Sequence, residues 1–323
     1  MKNLLSDRIL IPAAFGVIYI VWGSTYLANW YAIRDIPTFL MCGCRFFIAG
    51  ILLFLVSLFF GAKRPKLEHW KSTALMGFFF FFIGNGGAVW ALNYLDSGIA
   101  ALIIACQPLV TVLMMWAMLS KRPSKRTLFG VGIGFLGMVL LVTQDQFTSS
   151  EEMLVGVAVI IICVIGWGFA SVKISRIPLP DSKIQAAAMQ MMIGGSMLLV
   201  FSFGTGDAFQ FDLANLTPRG TWSFVYLTFF GAFIAFSAFN YLLLKVSPDK
   251  VATATYVNPV VALLLGWGIN NEVITMQSLL AGMLLLSGVV FINTKKGFLR
   301  RKKIENTVVT DMIQQRDAET QSR

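Results

Sequence analysis

The chain has 323 residues, of which 57% are hydrophobic and 13% charged, with a formal net charge of +10 and a mean hydropathy of +0.73. A soluble domain carries about 25% charged residues, so this composition excludes a soluble globular protein and predicts an all-α integral membrane protein. The basic excess does not predict nucleic-acid binding, because lysines and arginines sit in short loops and in the tail, without interleaved aromatics.

Charged and turn-forming residues divide the chain into ten apolar runs, most of them near the roughly 20 residues that a spanning helix needs. They cover residues 10–32, 38–60, 73–94, 99–119, 128–143, 154–172, 184–203, 222–244, 251–269 and 278–294. The first run is long enough to span and lacks a small-residue cleavage site, so it is expected to be a span and not a signal peptide. With the N-terminus inside, 23 of the 26 lysines and arginines fall in cytoplasmic segments. The exceptions are Arg34 and Arg219 outside and Arg45 within a span. Outward loops carry Asp35, Asp96, Asp145, Glu151, Glu152, Asp207, Asp212 and Glu272 instead. Both termini are therefore expected in the cytoplasm of a plasma membrane, the bacterial inner membrane. The longest connection, 204–220, is expected outside. After residue 294 the tail opens with Lys295, Lys296, Arg300, Arg301, Lys302 and Lys303, which suit an anionic lipid surface, and then turns polar.

Chemistry-bearing residues are sparse. Cys42, Cys44, Cys106 and Cys163 lie inside apolar runs, and His69 is the single histidine. Neither a zinc site, a disulfide framework nor a serine–histidine pair has residues to use. No catalytic residue, metal or cofactor is expected, and the chain is not expected to be an enzyme.

The two halves repeat. Trp22-Gly23 returns as Trp167-Gly168, and Ile48-Ala49-Gly50 returns as Ile193-Gly194-Gly195, both 145 residues on. Pro108, Trp116 and Gly137 return as Pro259, Trp267 and Gly288, 151 residues on. In both halves an amide precedes the mid-span proline: Gln107-Pro108 and Asn258-Pro259. Each proline removes a donor from the helix and frees the carbonyl four residues back, at Ile104 and Thr255. Either the adjacent amide satisfies that carbonyl, or the bent helix lines a wet cavity. Five spans per half is an odd number, so the second half is expected to insert upside down. The predicted organisation is a first repeat at 1–144, an inverted second repeat at 145–294 around a central cavity, and a tail at 295–323.

The tryptophan-glycine of the first span, the arginine followed by alanine-glycine in the second, the mid-helix prolines and the acid closing the ninth span together resemble the drug/metabolite transporter superfamily, in its ten-helix EamA-type branch. The resemblance covers about residues 11–294. It implies a plasma-membrane secondary transporter, most often an exporter of amino acids or related metabolites. The implied cavity is lined mainly by spans one, three, four, six, eight and nine. Glu272 matches the acid that closes span nine, while Lys121 stands at the equivalent first-half position.

Candidate solute contacts follow from both readings. Gln107 and Thr111 share a helix face, as do Thr255 and Asn258. Asn85 stands among Gly84, Gly86 and Gly87, which permit close approach of a ligand or of another helix. Trp22, Ser24 and Thr25 fall on the family's substrate-facing first span, with Asn29 nearer the outer rim. Trp90, Trp167, Tyr241 and Tyr256, with Tyr94, Trp116 and Trp267, are candidates for an aromatic wall, although single aromatics more often pack or line the interface. Arg45 is either a counter-charge for a substrate carboxylate or a structural cation, snorkelling to Asp35, Asp96 or Glu272 or bonded to helix carbonyls; neutral Gln190 at the repeat-equivalent position weighs toward the structural role. Gly130-xxx-Gly134 suits tight packing, within the chain or in a homodimer. No acid lies mid-span, which leaves proton antiport without an obvious carrier.

The expected function is alternating-access transport of small amphiphilic metabolites, probed by solute exchange. A lipid-headgroup flippase would need a lateral opening and a deeper basic lining. A membrane scaffold or sensor would have no use for paired amide-proline elements and would show no flux.

Overall fold

The computed structural model describes residues 7–120, 122–144, 151–246, 251 and 254–293. Among them the secondary structure is helical, without strands. Eight helices are long and apolar enough to cross a membrane: α1 (Asp7–Asp35), α2 (Thr38–Phe59), α3 (Leu67–Asn93), α4 (Ser97–Leu119), α5 (Lys125–Val142), α6 (Glu151–Arg176), α7 (Lys183–Thr205) and α8 (Pro218–Leu242). Two shorter apolar helices follow, α9 (Ala254–Asn270) and α10 (Met276–Asn293). The largest departure from the predicted runs is at α3, which starts at Leu67 and not at residue 73. That added stretch, with Glu68 and His69, is too polar for a hydropathy reading. It is helical because the chain caps itself: Lys66 N donates to His69 Nδ1 at 3.3 Å and His69 N donates to Lys66 O at 3.1 Å.

Helix ends carry the repeat more sharply than the motifs do. Among the described residues four have positive φ: Gly61 and Gly206, both at 83°, and Ser120 and Asn271, at 54° and 55°. Gly61 and Gly206, just beyond α2 and α7, are separated by the same interval as Trp22 and Trp167. Ser120 and Asn271, ending α4 and α9, are separated by that of Pro108 and Pro259. A left-handed residue costs a side-chain-bearing position about 1–2 kcal/mol, so serine and asparagine there mark a required turn geometry.

Small residues form two long seams, both antiparallel. Along α2 and α7, Gly43 faces Leu199, Gly195 faces Phe47 and Gly50 faces Met192. A Cβ on Gly50 would stand 2.7 Å from Met192 N. Along α5 and α10, Gly130 and Gly134 meet Gly288, and Gly137 meets Leu285. The Gly130-xxx-Gly134 pair is thus used inside the chain: Gly130 packs on α10, and Gly134 also receives Leu109 of α4. Where lipid is as apolar as the side chains, such backbone approach supplies the packing attraction that burial cannot.

Between the seams, α1 packs on α8 and α9, and α6 packs on α3 and α4. Wide π turns interrupt α1 at Val17–Val21, α3 at Phe78–Gly87 and α8 at Leu227–Ile234, a geometry that recurs at functional positions. The two prolines behave differently. Pro108 follows a break at Ala105 and Cys106, where Cys106 N bonds Ile103 O at 3.1 Å, whereas Pro259 lies inside an unbroken helix.

Candidate functional site

The repeated motifs meet one another across the halves. Gly23 of α1 lies against Val261 of α9, where an added Cβ would be 2.6 Å from Val261 Cβ and 3.1 Å from Asn258 O. Gly168 of α6 lies against Val110 and Gln107 of α4. Each tryptophan-glycine therefore receives the amide-proline helix of the opposite half, and at Gly23 a side chain would hold the helices apart.

Both amides enter the other half's backbone. With its nitrogen turned toward α6, Gln107 donates to Val164 O at 3.3 Å and accepts from Gly168 N at 3.3 Å and from Thr111 Oγ1 at 3.0 Å. Oriented likewise, Asn258 donates to Ile18 O at 3.2 Å and Tyr19 O at 3.3 Å, within the π turn of α1, and to Ala254 O at 3.1 Å. A network with each donor facing an acceptor is the basis for both orientations. The amides thus bridge helices, with Val164 and Gly168 as partners of Gln107 and Ile18 and Tyr19 as partners of Asn258 across the halves.

A polar face of α1 forms the second part of the site. Trp22 Nε1 donates to Gly231 O in the π turn of α8 at 3.2 Å. Ser24 Oγ lies 2.6 Å from Tyr226 OH, also on α8. Thr25 Oγ1 donates to Trp22 O, and Asn29 Nδ2 to Thr25 O, each at 2.6 Å. Asn29 Oδ1 then accepts from Arg45 Nη1 of α2 at 2.8 Å. Residues 22, 25 and 29 recur at helical spacing, so one stripe of α1 carries polar groups from the middle of the helix toward its Asp35 end.

Other candidates lie apart from this stripe. Asn85 donates to Phe80 O of its own π turn at 2.8 Å. Trp167 packs edge-on to Phe80, centroids 4.8 Å apart, and against Gly84. Trp90 packs on Tyr94 at 4.9 Å. Tyr241 is at the far end of α8, its hydroxyl 2.9 Å from Asp7, which also pairs with Lys245 at 2.9 Å. Thr255 is half-buried, and the Tyr256 side chain lies outside the described residues, as do Lys121 and the tail. Trp116 and Trp267 are exposed on the helix bundle, 43% and 60%, and so do not wall an interior space. Tyr226 had no sequence signal; Asn29 had only its place on the first span.

The acids suggested as partners for Arg45 are engaged elsewhere or unpaired with it. Asp35 accepts from Thr217 N at 2.9 Å and from the Thr217 hydroxyl, which docks the loop before α8 onto α1. Glu272, 8% exposed, accepts from Ser97 N at 3.2 Å, Ser97 Oγ at 2.7 Å, Gly98 N at 3.0 Å and Asn270 Nδ2 at 3.2 Å. It caps the first turn of α4 from the opposite half, where unpaired N–H groups and the helix dipole favour an anion. Asp96, just before that turn, has its carboxyl pushed above the ordinary 3.8, first by burial and second by Glu272, against the pull of Arg34.

Among the described residues, eight helices of spanning length and apolarity followed by two shorter apolar ones define a multi-pass helical membrane protein. Residues 11–143 and 154–294 each match the model of the EamA-like transporter family. The chain belongs to that family and is a membrane transporter. It is 34% identical to the uncharacterized inner membrane transporter YedA of Escherichia coli (strain K12), over 94% of this chain and 98% of that protein. It is 28% identical to the uncharacterized transporter YoaV of Bacillus subtilis (strain 168), over 91% of this chain and all of that one (100%). Protein PecM of Dickeya dadantii (strain 3937) is 24% identical over 91% of this chain and 95% of its own. One solved crystal structure, 19% identical, shares the fold with a TM-score of 0.61, covering 90% of this chain and 98% of that one.

Proposed function

We propose that this transporter is an alternating-access secondary carrier for small amphiphilic metabolites, an exporter of amino acids or related compounds in the bacterial inner membrane. Its two repeats, 1–144 and 145–294, thread the bilayer in opposite senses, and both termini are cytoplasmic. The observation that carries the reading is the reciprocal insertion of Gln107 into α6 and Asn258 into α1. Two equivalent joints at mid-helix give the halves a shared axis, about which either end of the interior can open in turn. The antiparallel seams support the inversion, since equivalent helices of inverted repeats run in opposite directions. Amides, hydroxyls and aromatic faces along α1, α4, α6, α8 and α9 bind the solute, with no covalent step.

Counterflow in proteoliposomes with amino acids, amines and nucleosides tests the carrier. Exchange of at least one class is expected, and its absence for every class in folded protein refutes the reading. Labelling of single cysteines tests the inversion: the tail and the 204–220 loop should react from opposite sides, and reaction from one side ends it. A headgroup flippase is the weaker reading. The lateral groove of about 550 Å³ between α3 and α7 is lined by Phe78, Phe82, Ile193, Met197, Val200 and Phe201, with Ser196 as its one polar side chain, and offers a phosphate nothing basic.

A further inference from the structure

Arg45 is 4% exposed and sits seven residues into α2, about 10 Å along the helix from its start. Its guanidinium has five N–H donors. Nη1 is taken by Asn29 Oδ1 at 2.8 Å, one face rests on the Phe46 ring at 4.2 Å, and Nε is buried without a hydrogen-bond partner among the described residues. No carboxylate of the described residues pairs with it. Asp35 and Glu272 accept hydrogen bonds elsewhere, as above. Asn29 is itself held, because Thr25 O fixes its nitrogen and leaves its oxygen toward Arg45. That neutral acceptor aims the guanidinium without neutralising it.

A cation held at this depth in a span is costly unless an anion accompanies it, and such residues mark solute pathways when the fold supplies no partner. The planar fork of arginine suits a carboxylate, which accepts two parallel N–H bonds. Asn29, Thr25 and Trp22 continue from Arg45 along the polar stripe of α1, so a solute anchored there would lie along that stripe toward the Ser24–Tyr226 pair. We infer that Arg45, oriented by Asn29, is the anion subsite of this transporter and that its solute carries a carboxylate. This rests on the carrier reading and narrows it to carboxylated solutes.

The test pairs each amino acid with its carboxamide, which keeps the shape of that end but loses the charge and one of the two acceptor oxygens. Counterflow by the wild type should favour the carboxylate, and R45Q should lower the carboxylate-to-carboxamide ratio roughly tenfold or more. R45K should recover part of the ratio. R219Q, which removes a cation stacked on Tyr31 at 4.8 Å, should leave it unchanged. An unchanged ratio in R45Q overturns the inference. Should R45Q not fold, the melting temperature of purified wild type decides: stabilisation by amino acids and not by their carboxamides is expected, and equal effects overturn it. Stabilisation by phosphatidylglycerol in nanodiscs, lost in R45K and not given by any amino acid, would assign the subsite to lipid and also overturn it. Arg45-dependent stabilisation by carboxylates in a protein that exchanges nothing would sink the carrier reading alone.

Discussion

Replacing Glu272 with alanine removes the acceptor for two backbone N–H groups at the start of α4, for the Ser97 hydroxyl and for the Asn270 amide. Each buried donor left unpaired costs about 1–3 kcal/mol. Shared geometry and entering water keep the total at roughly 3–5 kcal/mol, below the sum of four such losses. Glutamine keeps one oxygen and the shape but loses the charge at the helix N-terminus, so E272Q should cost about 1–2 kcal/mol. Thermal unfolding in detergent, followed through the eight tryptophans, reads the difference. At about 2 °C per kcal/mol for a chain of this size, E272A should melt about 6–10 °C below wild type and E272Q about 2–4 °C below. Gly266 provides an internal check. A Cβ there would collide with the Glu272 carboxylate, so G266A should reproduce most of the E272A loss, and the double variant should be far from additive. Melting of E272A within a degree of wild type would refute the cap as a stabilising contact between the halves.

Gly23→Ala drives a methyl into Val261 and should destabilise by about 1–3 kcal/mol in the same assay, whereas Gly132→Ala, with no atom within 4 Å, should be neutral or slightly stabilising; equal effects would contradict the α1–α9 contact. Asp96 has a raised folded-state pKa, so its contribution to stability is present below the unfolded value and is lost as pH rises through the folded one. D96N should flatten that decline in a melting profile taken from about pH 3 to pH 7, and it should exceed wild type at the upper end; matching profiles would refute the assignment. Gln107→Leu and Asn258→Leu should reduce counterflow more than membrane insertion, and equal loss of both would make the amides purely structural.

The helices were legible because hydropathy is a property of each segment alone, and where polar residues belong to a helix, as at Glu68 and His69, the reading stopped short. The offsets of Trp22, Pro108 and Gly137 also disclosed the repeat. That Gly23 touches Val261, and Gly168 touches Val110, was not legible, since nothing in either motif says that its partner lies in the other half. Gln107-Pro108 and Asn258-Pro259 read alike, yet only the first follows a break, because the conformation around a proline depends on neighbours that a dipeptide does not specify. Arg45 stood out as a charge in an apolar run. Its orientation by Asn29 required knowing that residue 29 of one helix faces residue 45 of the next. Tyr226, one aromatic among many, gave no hint that its hydroxyl meets Ser24.

The two glycine seams bear on how the chain is made. When the first five helices have left the ribosome, α2 and α5 present backbone-lined grooves at Gly43, Gly50, Gly130 and Gly137 whose matching ridges have yet to be synthesised. Lipid tails are too mobile to fill such grooves with the fit of α7 and α10. Each half thus completes the packing of the other, with α7 filling the groove of α2 and α10 that of α5.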